Sequence, residues 1–341
     1  MRILIPTRNR PTSLAGVLSY YERFYPKTEI IIADGSTSEF QSQNEVLVRE
    51  VGISVDYRAY NPELSLFDRL LEVLKGESDR YIVMGADDDF PILETLEKCR
   101  KRLDVHDDCV CSGGFLVHLD VDEAGDARAR LDPVRPIRGD TLEERMNAFS
   151  RLPFTTTYAV ARRDLLIARY EFLREWNVPG FFDFGVAMMD FTHGKFFAIP
   201  ELGFICTRNI THSYYRSSQP LVYLRRADDI MRLGERMSFY LREIDGLSAE
   251  RAEYVVGQLI NRRIAALAGA PPFRIAGFDQ RPPFTNVLVT TARERFRAMF
   301  TGGTPERAIL AERLAFIAQR LQETIESNDN AGDRKRYETL S

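Results

Sequence analysis

Three consecutive carboxylates, Asp87-Asp88-Asp89, follow the apolar run 81–85 (YIVMG). Carboxylate oxygens are hard ligands that suit Mg2+ or Mn2+. Acids at i and i+2 beyond a strand can turn one group to a metal and the other to a ribose hydroxyl. An ion held there would bridge a nucleotide diphosphate and neutralise it as it leaves. Three adjacent carboxylates repel one another, which favours a cation partner. The structural alternative is a solvated turn whose acids stabilise the N-terminus of the next helix. Arg8 and Arg10 stand in the polar loop 7–11 and can grip a nucleotide as guanidinium forks. Their plain alternative is a solvated loop. A third polar turn, Asp34-Gly35-Ser36, follows the apolar run 29–33.

These groups sit where strands end. Residues 2–5 read as a short buried strand stopped by Pro6, and Thr12 or Ser13 can cap a helix running to about Phe24. Residues 29–33 form a second strand and 53–60 an alternating third. Leu66, Phe67, Leu70, Leu71 and Leu74 recur at helical spacing, with Gly76 at the end. Residues 81–85 make a fourth strand, 92–103 a helix and 109–119 a fifth strand. This alternation predicts an α/β fold with a mainly parallel central sheet flanked by helices. Ligands of such sheets lie beyond the carboxyl ends of the strands, so loops 7–10, 34–36 and 87–89 should converge on one crevice.

Further along, 125–140 reads as an exposed loop or hairpin, 142–151 and 163–176 as helices, and 196–199 as a strand. From about Pro220 the texture becomes helical, over 221–244, 248–267 and 305–327, with a Pro/Gly-rich connection at 269–283. The expected division is a catalytic domain over 1–216 and a mainly helical region over 217–341.

Composition narrows the classes. The 341 residues are 44% hydrophobic and 28% charged, as in a globular protein with a sizeable core. The net charge of −4 speaks against nucleic acid as partner. Residues 216–341 carry 20 basic against 16 acidic side chains, so the negative charge resides in the rest. No apolar run approaches the roughly 20 residues that span a bilayer. The apolar start is too short for a signal peptide, so a cytoplasmic location is expected. Cys99, Cys109, Cys111 and Cys206 lack metal-ligand spacing and read as buried thiols.

The ordered series resembles a GT-A-fold (Rossmann-like) nucleotide-sugar glycosyltransferase, similar to family-2 glycosyltransferases, over residues 1–215. Ile5-Pro6-Thr7-Arg8-Asn9-Arg10 resembles that family's first strand and loop. Asp34 resembles the acid that contacts the nucleobase. Residues 68–76 and 81–89 resemble its helix, strand and DxD motif, with Asp87 and Asp89 at the two motif positions. Asp68 stands where the family often has Asn. Asp183 lies eleven residues before Gly194, the spacing of the family's catalytic base, although Phe182 replaces the first acid of the usual pair. Asp190 competes for that role, and a helix N-cap is the structural alternative for Asp183. His212 takes the place of a late metal or diphosphate ligand, against the plain alternative of a structural histidine.

The resemblance implies an inverting transfer from a nucleotide-diphosphate sugar, with UDP favoured, to a glycan or lipid-linked hydroxyl in bacterial surface polysaccharide synthesis. Mn2+ or Mg2+ would sit on Asp89, Asp87 and His212. Pro6, Thr7, Arg8, Arg10, Asp34, Asp68, Asp87 and Asp88 would contact the donor. A sugar-phosphate nucleotidyltransferase ranks lower, because loop 7–11 has no glycine to wrap a triphosphate. A non-catalytic nucleotide-sugar-binding module is motivated by Phe182. Arg293, Arg295 and Arg297 near Phe296, Met299 and Phe300 fit anionic lipid at the inner face of the membrane. The plainer reading, and the preferred one, is an apolar helix face packed on the catalytic part or on a second subunit of a homodimer.

Overall fold

Ile3, Leu4 and Ile5 are each 1% exposed or less, as are Ile30, Ile31 and Ile32. Such β-branched runs form strands that are covered on both faces. Side chains alternate along a strand, and the two faces have separate cores. Leu4, Ile31, Ile82 and Met84 face one hydrophobic cluster; Ile3, Ile5, Ile30, Ile32 and Val83 face the other.

The computed structural model describes residues 1–121, 127–151, 154–175, 182–208, 227–267, 311–317 and 319–320. The elements run β1 (Arg2–Thr7), α1 (Pro11–Phe24), β2 (Glu29–Asp34), α2 (Ser38–Glu50), β3 (Ser54–Ala59), α3 (Leu66–Gly76), β4 (Tyr81–Met84), β5 (Asp89–Pro91), α4 (Leu93–Val105), β6 (Cys109–Val121) and β7 (Ala127–Asp132). Then come α5 (Leu142–Arg151), β8 (Val160–Arg162), α6 (Arg163–Arg174), α7 (Phe182–His193), β9 (Lys195–Arg208), α8 (Ala227–Asp245) and α9 (Ala249–Leu267). Residues 311–317 are also helical.

One sheet has the order β3-β2-β1-β4-β8-β6-β9-β5, with β7 beside β6. β3, β2, β1 and β4 are parallel, as the alternation predicts. Beyond β4 the sheet is mixed: β8 runs antiparallel to β4 and β6, while β6 and β9 are parallel. β5 follows β4 by a few residues, yet it pairs antiparallel with β9 at the far edge, Asp89 opposite Cys206. The acidic triplet thus crosses the sheet from the end of β1 to the end of β9.

Several sequence expectations change here. β1 continues through Pro6, in register with Ala33, to Thr7. α2 was not expected, because SEFQSQNEVLVRE has weak periodicity and Asn44 is its one fully buried residue. Region 125–140 contributes β7, a hairpin arm on β6. All four cysteines are buried free thiols. Arg293, Arg295 and Arg297 lie outside the described residues. Among the described residues, no helix is long and apolar enough to cross a membrane.

α3, α5, α6, α7, α8 and α9 cover one face of the sheet. α1, α4 and 311–317 cover the other. Ile317 is fully buried there, and the Phe316 ring lies 5.7 Å from Phe24 and 6.2 Å from Tyr20. Arg313 stands over the Phe24 and Tyr25 rings and donates to Glu94 at 2.8 Å.

α8 and α9 share the apolar cluster of the first face and are tied to α5. Asp245, the last residue of α8, accepts from the Leu142 and Glu143 amides at 2.9 and 2.6 Å, so it caps α5 from 102 to 103 residues away. Arg251 pairs with Glu143 at 2.6 Å. Asp245→Ala leaves two helix-start amides without this acceptor. A loss of about 1–2 kcal/mol is expected in urea unfolding, and an unchanged midpoint would rule the cap out as a stabilising contact.

Candidate active site

The three loops do converge. Thr7, at the end of β1, donates its hydroxyl to Asp87 at 2.7 Å. Asn9 adopts a left-handed backbone, φ 55°, at a point where a glycine-like turn is needed. Its amide donates to the Ser36 hydroxyl at 2.8 Å, and its side chain accepts from the Thr37 amide at 2.9 Å. The first loop is therefore buttoned to the second.

Arg69 underlies both loops. It is 3% exposed and donates to the carbonyls of Thr7 and Ala33 at 3.1 and 2.9 Å, across the ends of β1 and β2. A Cβ at position 35 would fall 2.2 Å from the Arg69 guanidinium carbon, so Gly35 is needed for that approach. Burial lowers the pKa of Arg69, and the charge of Arg8 adds to this. Arg8 is exposed, with no hydrogen bond or ion pair among the described residues.

Two expected donor contacts are held differently. Asp34 is fully buried, and its oxygens accept from the Ser36 amide, the Asn44 side chain and the Tyr57 hydroxyl, each at 2.7 Å. These three bonds make its carboxylate the pin that shapes the turn. Asp68 is the third residue of α3 and caps it with Ser65: its amide donates to the Ser65 oxygen at 3.1 Å, and the Ser65 hydroxyl donates back at 2.5 Å. Pro6 is a half-buried member of β1. His212 lies outside the described residues.

The acidic triplet is densely bonded. Arg10 donates to Asp87 and, at 2.7 Å, to Asp88. Asp89 accepts from the Thr207 amide at 2.8 Å and from the Tyr158 hydroxyl. Asp87 and Asp89 are 4% and 6% exposed. Burial pushes the Asp87 carboxyl up to about 7, against the pull of Arg10. Burial and the neighbouring Asp88 raise Asp89 as well. The metal expectation meets an obstacle here. The oxygens of Asp87 and Asp89 are taken by protein donors, one of them a cation. Among the described residues, no group of three or more His, Cys, Asp and Glu side chains is placed to hold a metal ion. As arranged, these residues do not fit a divalent ion.

Asp183 sits in the first turn of α7, inside the helix, so the N-cap alternative does not apply. It is half-buried. Its Oδ1 accepts from the hydroxyls of Thr155 and Thr157 at 2.9 and 2.8 Å. Its Oδ2 has no partner among the described residues. Thr157 holds Asp183 while the adjacent Tyr158 donates to Asp89, whose strand β5 pairs with the end of β9. The carboxylate of Asp183 and the acidic triplet thus share one neighbourhood at the end of β9.

Asp190 is unsuited to proton transfer with a substrate. It is fully buried, gripped by Arg169 at 2.8 and 2.7 Å and by the Thr156 hydroxyl at 2.5 Å. Burial raises its pKa, and Arg169 opposes that. Thr156 is buried against Asp190, while its neighbours Thr155 and Thr157 hold Asp183. Phe182 stacks on Phe67 at 6.1 Å.

Sequence reasoning missed Arg69, Tyr158 and the Thr155–Thr157 pair. The Thr-Thr-Thr-Tyr run was the available signal for the last two.

No family model matches the sequence, and no curated protein matches it. Solved structures align with it at low identity. S. aureus TarS 1–349 in complex with UDP-GlcNAc aligns over 97% of this chain and 92% of that chain, at 14% identity and a TM-score of 0.53. A structure of S. aureus TarS aligns over 78% of this chain at 14% identity and a TM-score of 0.48, and this chain spans 44% of it. The mannosyltransferase PcManGT from Pyrobaculum calidifontis, in complex with GDP-Man and Mn2+, aligns over 98% of this chain and 87% of that chain, at 14% identity and a TM-score of 0.48. At the two lower scores the likeness carries no weight. The first establishes the fold, the GT-A architecture.

Proposed function

We propose that this chain is an inverting glycosyltransferase that moves a sugar from a nucleotide diphosphate to an acceptor hydroxyl. The observation that carries this reading is Asp183: one oxygen is pinned by two threonine hydroxyls, the other has no partner among the described residues, and the adjacent Tyr158 reaches Asp89 of the acidic triplet. The fold likeness to TarS 1–349, solved with UDP-GlcNAc, makes a UDP-sugar the first donor to test.

In the proposed reaction the donor lies across the ends of β1, β2 and β4. Arg8, exposed and without a partner among the described residues, meets the diphosphate. Arg69 and Asn9 keep the loops beneath it rigid, so little ordering is left to binding. Asp183 Oδ2 takes the proton of the acceptor hydroxyl. The acceptor oxygen bonds to the sugar C1 as the bond from C1 to the diphosphate oxygen breaks, and that electron pair leaves with the diphosphate. A single displacement inverts C1. The Arg8 guanidinium meets the charge that develops. The acceptor is a glycan or lipid-linked sugar hydroxyl, of the kind that surface polysaccharides present. Residues 1–216 form the catalytic part. Residues 217–341 add acceptor, membrane-surface or dimer contacts.

The test is a thermal-shift titration with UDP, GDP, ADP and their sugars, with wild type and Arg8→Ala. A ligand that binds only the folded state stabilises it by about 2.7 kcal/mol at a hundred times its Kd. One nucleotide is expected to raise the wild-type midpoint and to do so less in Arg8→Ala. A panel without any shift would count against a donor site.

A further inference from the structure

Arg10 stands where a divalent ion would. Its two terminal nitrogens reach Asp87 and Asp88, the first residues of the triplet. The other Asp87 oxygen accepts from Thr7, and both Asp89 oxygens accept from Thr207 and Tyr158. At least five of the six carboxylate oxygens in the triplet therefore already accept hydrogen bonds from the protein. Mg2+ and Mn2+ need such oxygens in their own coordination shell. Hydroxyl donors can turn away from an incoming ion, whereas the Arg10 guanidinium keeps its positive charge beside the carboxylates and opposes a second cation there. Two cations within a few ångström repel strongly where water is scarce. The side chain of Asp87 is 5% exposed and that of Arg10 is 29% exposed, so the carboxylate has little water to replace its counter-charge. A buried carboxylate without a partner is costly, and Arg10 is held in reach by its place just before α1.

We propose that Arg10 is the resident counter-ion of the acidic triplet, and that a divalent ion binds there only by displacing it. This stands apart from the transferase reading, since it concerns the chain without a donor. It makes the protein a weak metal binder by construction, although it carries a metal-like motif.

Mn2+ binding followed by electron paramagnetic resonance, with no nucleotide present, tests this. Wild type is expected to bind with a Kd weaker than about 100 μM, and a tighter value overturns the proposal. Arg10→Gln keeps hydrogen bonding without the charge, and it is expected to tighten Mn2+ at least about tenfold. No gain in a variant with native circular dichroism overturns the proposal. Adding Asp87→Asn to Arg10→Gln is expected to abolish the gain. A gain that survives places the ion elsewhere and likewise overturns it. Should Arg10→Gln fail to fold, the wild-type Kd decides.

Discussion

Asp183→Asn is expected to bind the donor as wild type does and to lose transfer by roughly 10²–10⁴-fold. The substitution is conservative where the protein holds the group. Asparagine keeps an oxygen for the Thr155 and Thr157 hydroxyls, so the side chain stays in place. What changes is the outward atom: an amide nitrogen replaces the free oxygen and cannot accept a proton. The loss should appear in kcat and kcat/KM together, with the nucleotide thermal shift intact. Transfer within about threefold of wild type would sink the assignment of Asp183 as base. Loss of the nucleotide shift as well would mean that Asp183 supports the donor site instead.

Arg169→Ala is expected to cost about 3–5 kcal/mol of stability, the largest single effect away from the crevice. Both side chains of the Arg169–Asp190 pair are fully buried. Removing the cation strands a carboxylate with Thr156 and, at 3.8 Å, the Cys111 sulfur. The measurement is the urea midpoint of Arg169→Ala beside the double variant Arg169→Met/Asp190→Leu. The double variant should recover most of the loss, because two apolar groups of similar volume need no partner. A single variant within about 1 kcal/mol of wild type would show that the stranded charge finds water. The pair also bears on the site. Thr156 ties the 155–157 turn to it, and that turn aims Asp183.

The parallel half of the sheet was legible because the Ile-rich runs at 3–5 and 30–32 can only be buried strands, and the polar turns after them could only meet at one edge. The triplet was legible as a strand-end cluster for the same reason. Its bonding was not, because β5 is three residues long and its partner, β9, lies more than a hundred residues away. Arg69 escaped notice because an arginine in an amphipathic helix reads as solvent-facing. Only the carbonyls at two strand ends, remote in sequence, reveal why it is buried. Asp34 read as a ligand contact for the converse reason: Asn44 and Tyr57, which occupy it, come from α2 and the edge strand β3. α2 itself shows little periodicity because a shallow surface helix has little to bury.

The helical run 311–317 closes over α1, with Phe316 on Tyr20 and Phe24 and Arg313 above Tyr25. On the ribosome this pairing comes late. Translation adds about 5–20 residues per second, so roughly 15–60 s separate the emergence of α1 from that of its cover. Throughout that interval Tyr20 can already pack on Phe90, while the Tyr20 and Phe24 rings still lack the Phe316 ring.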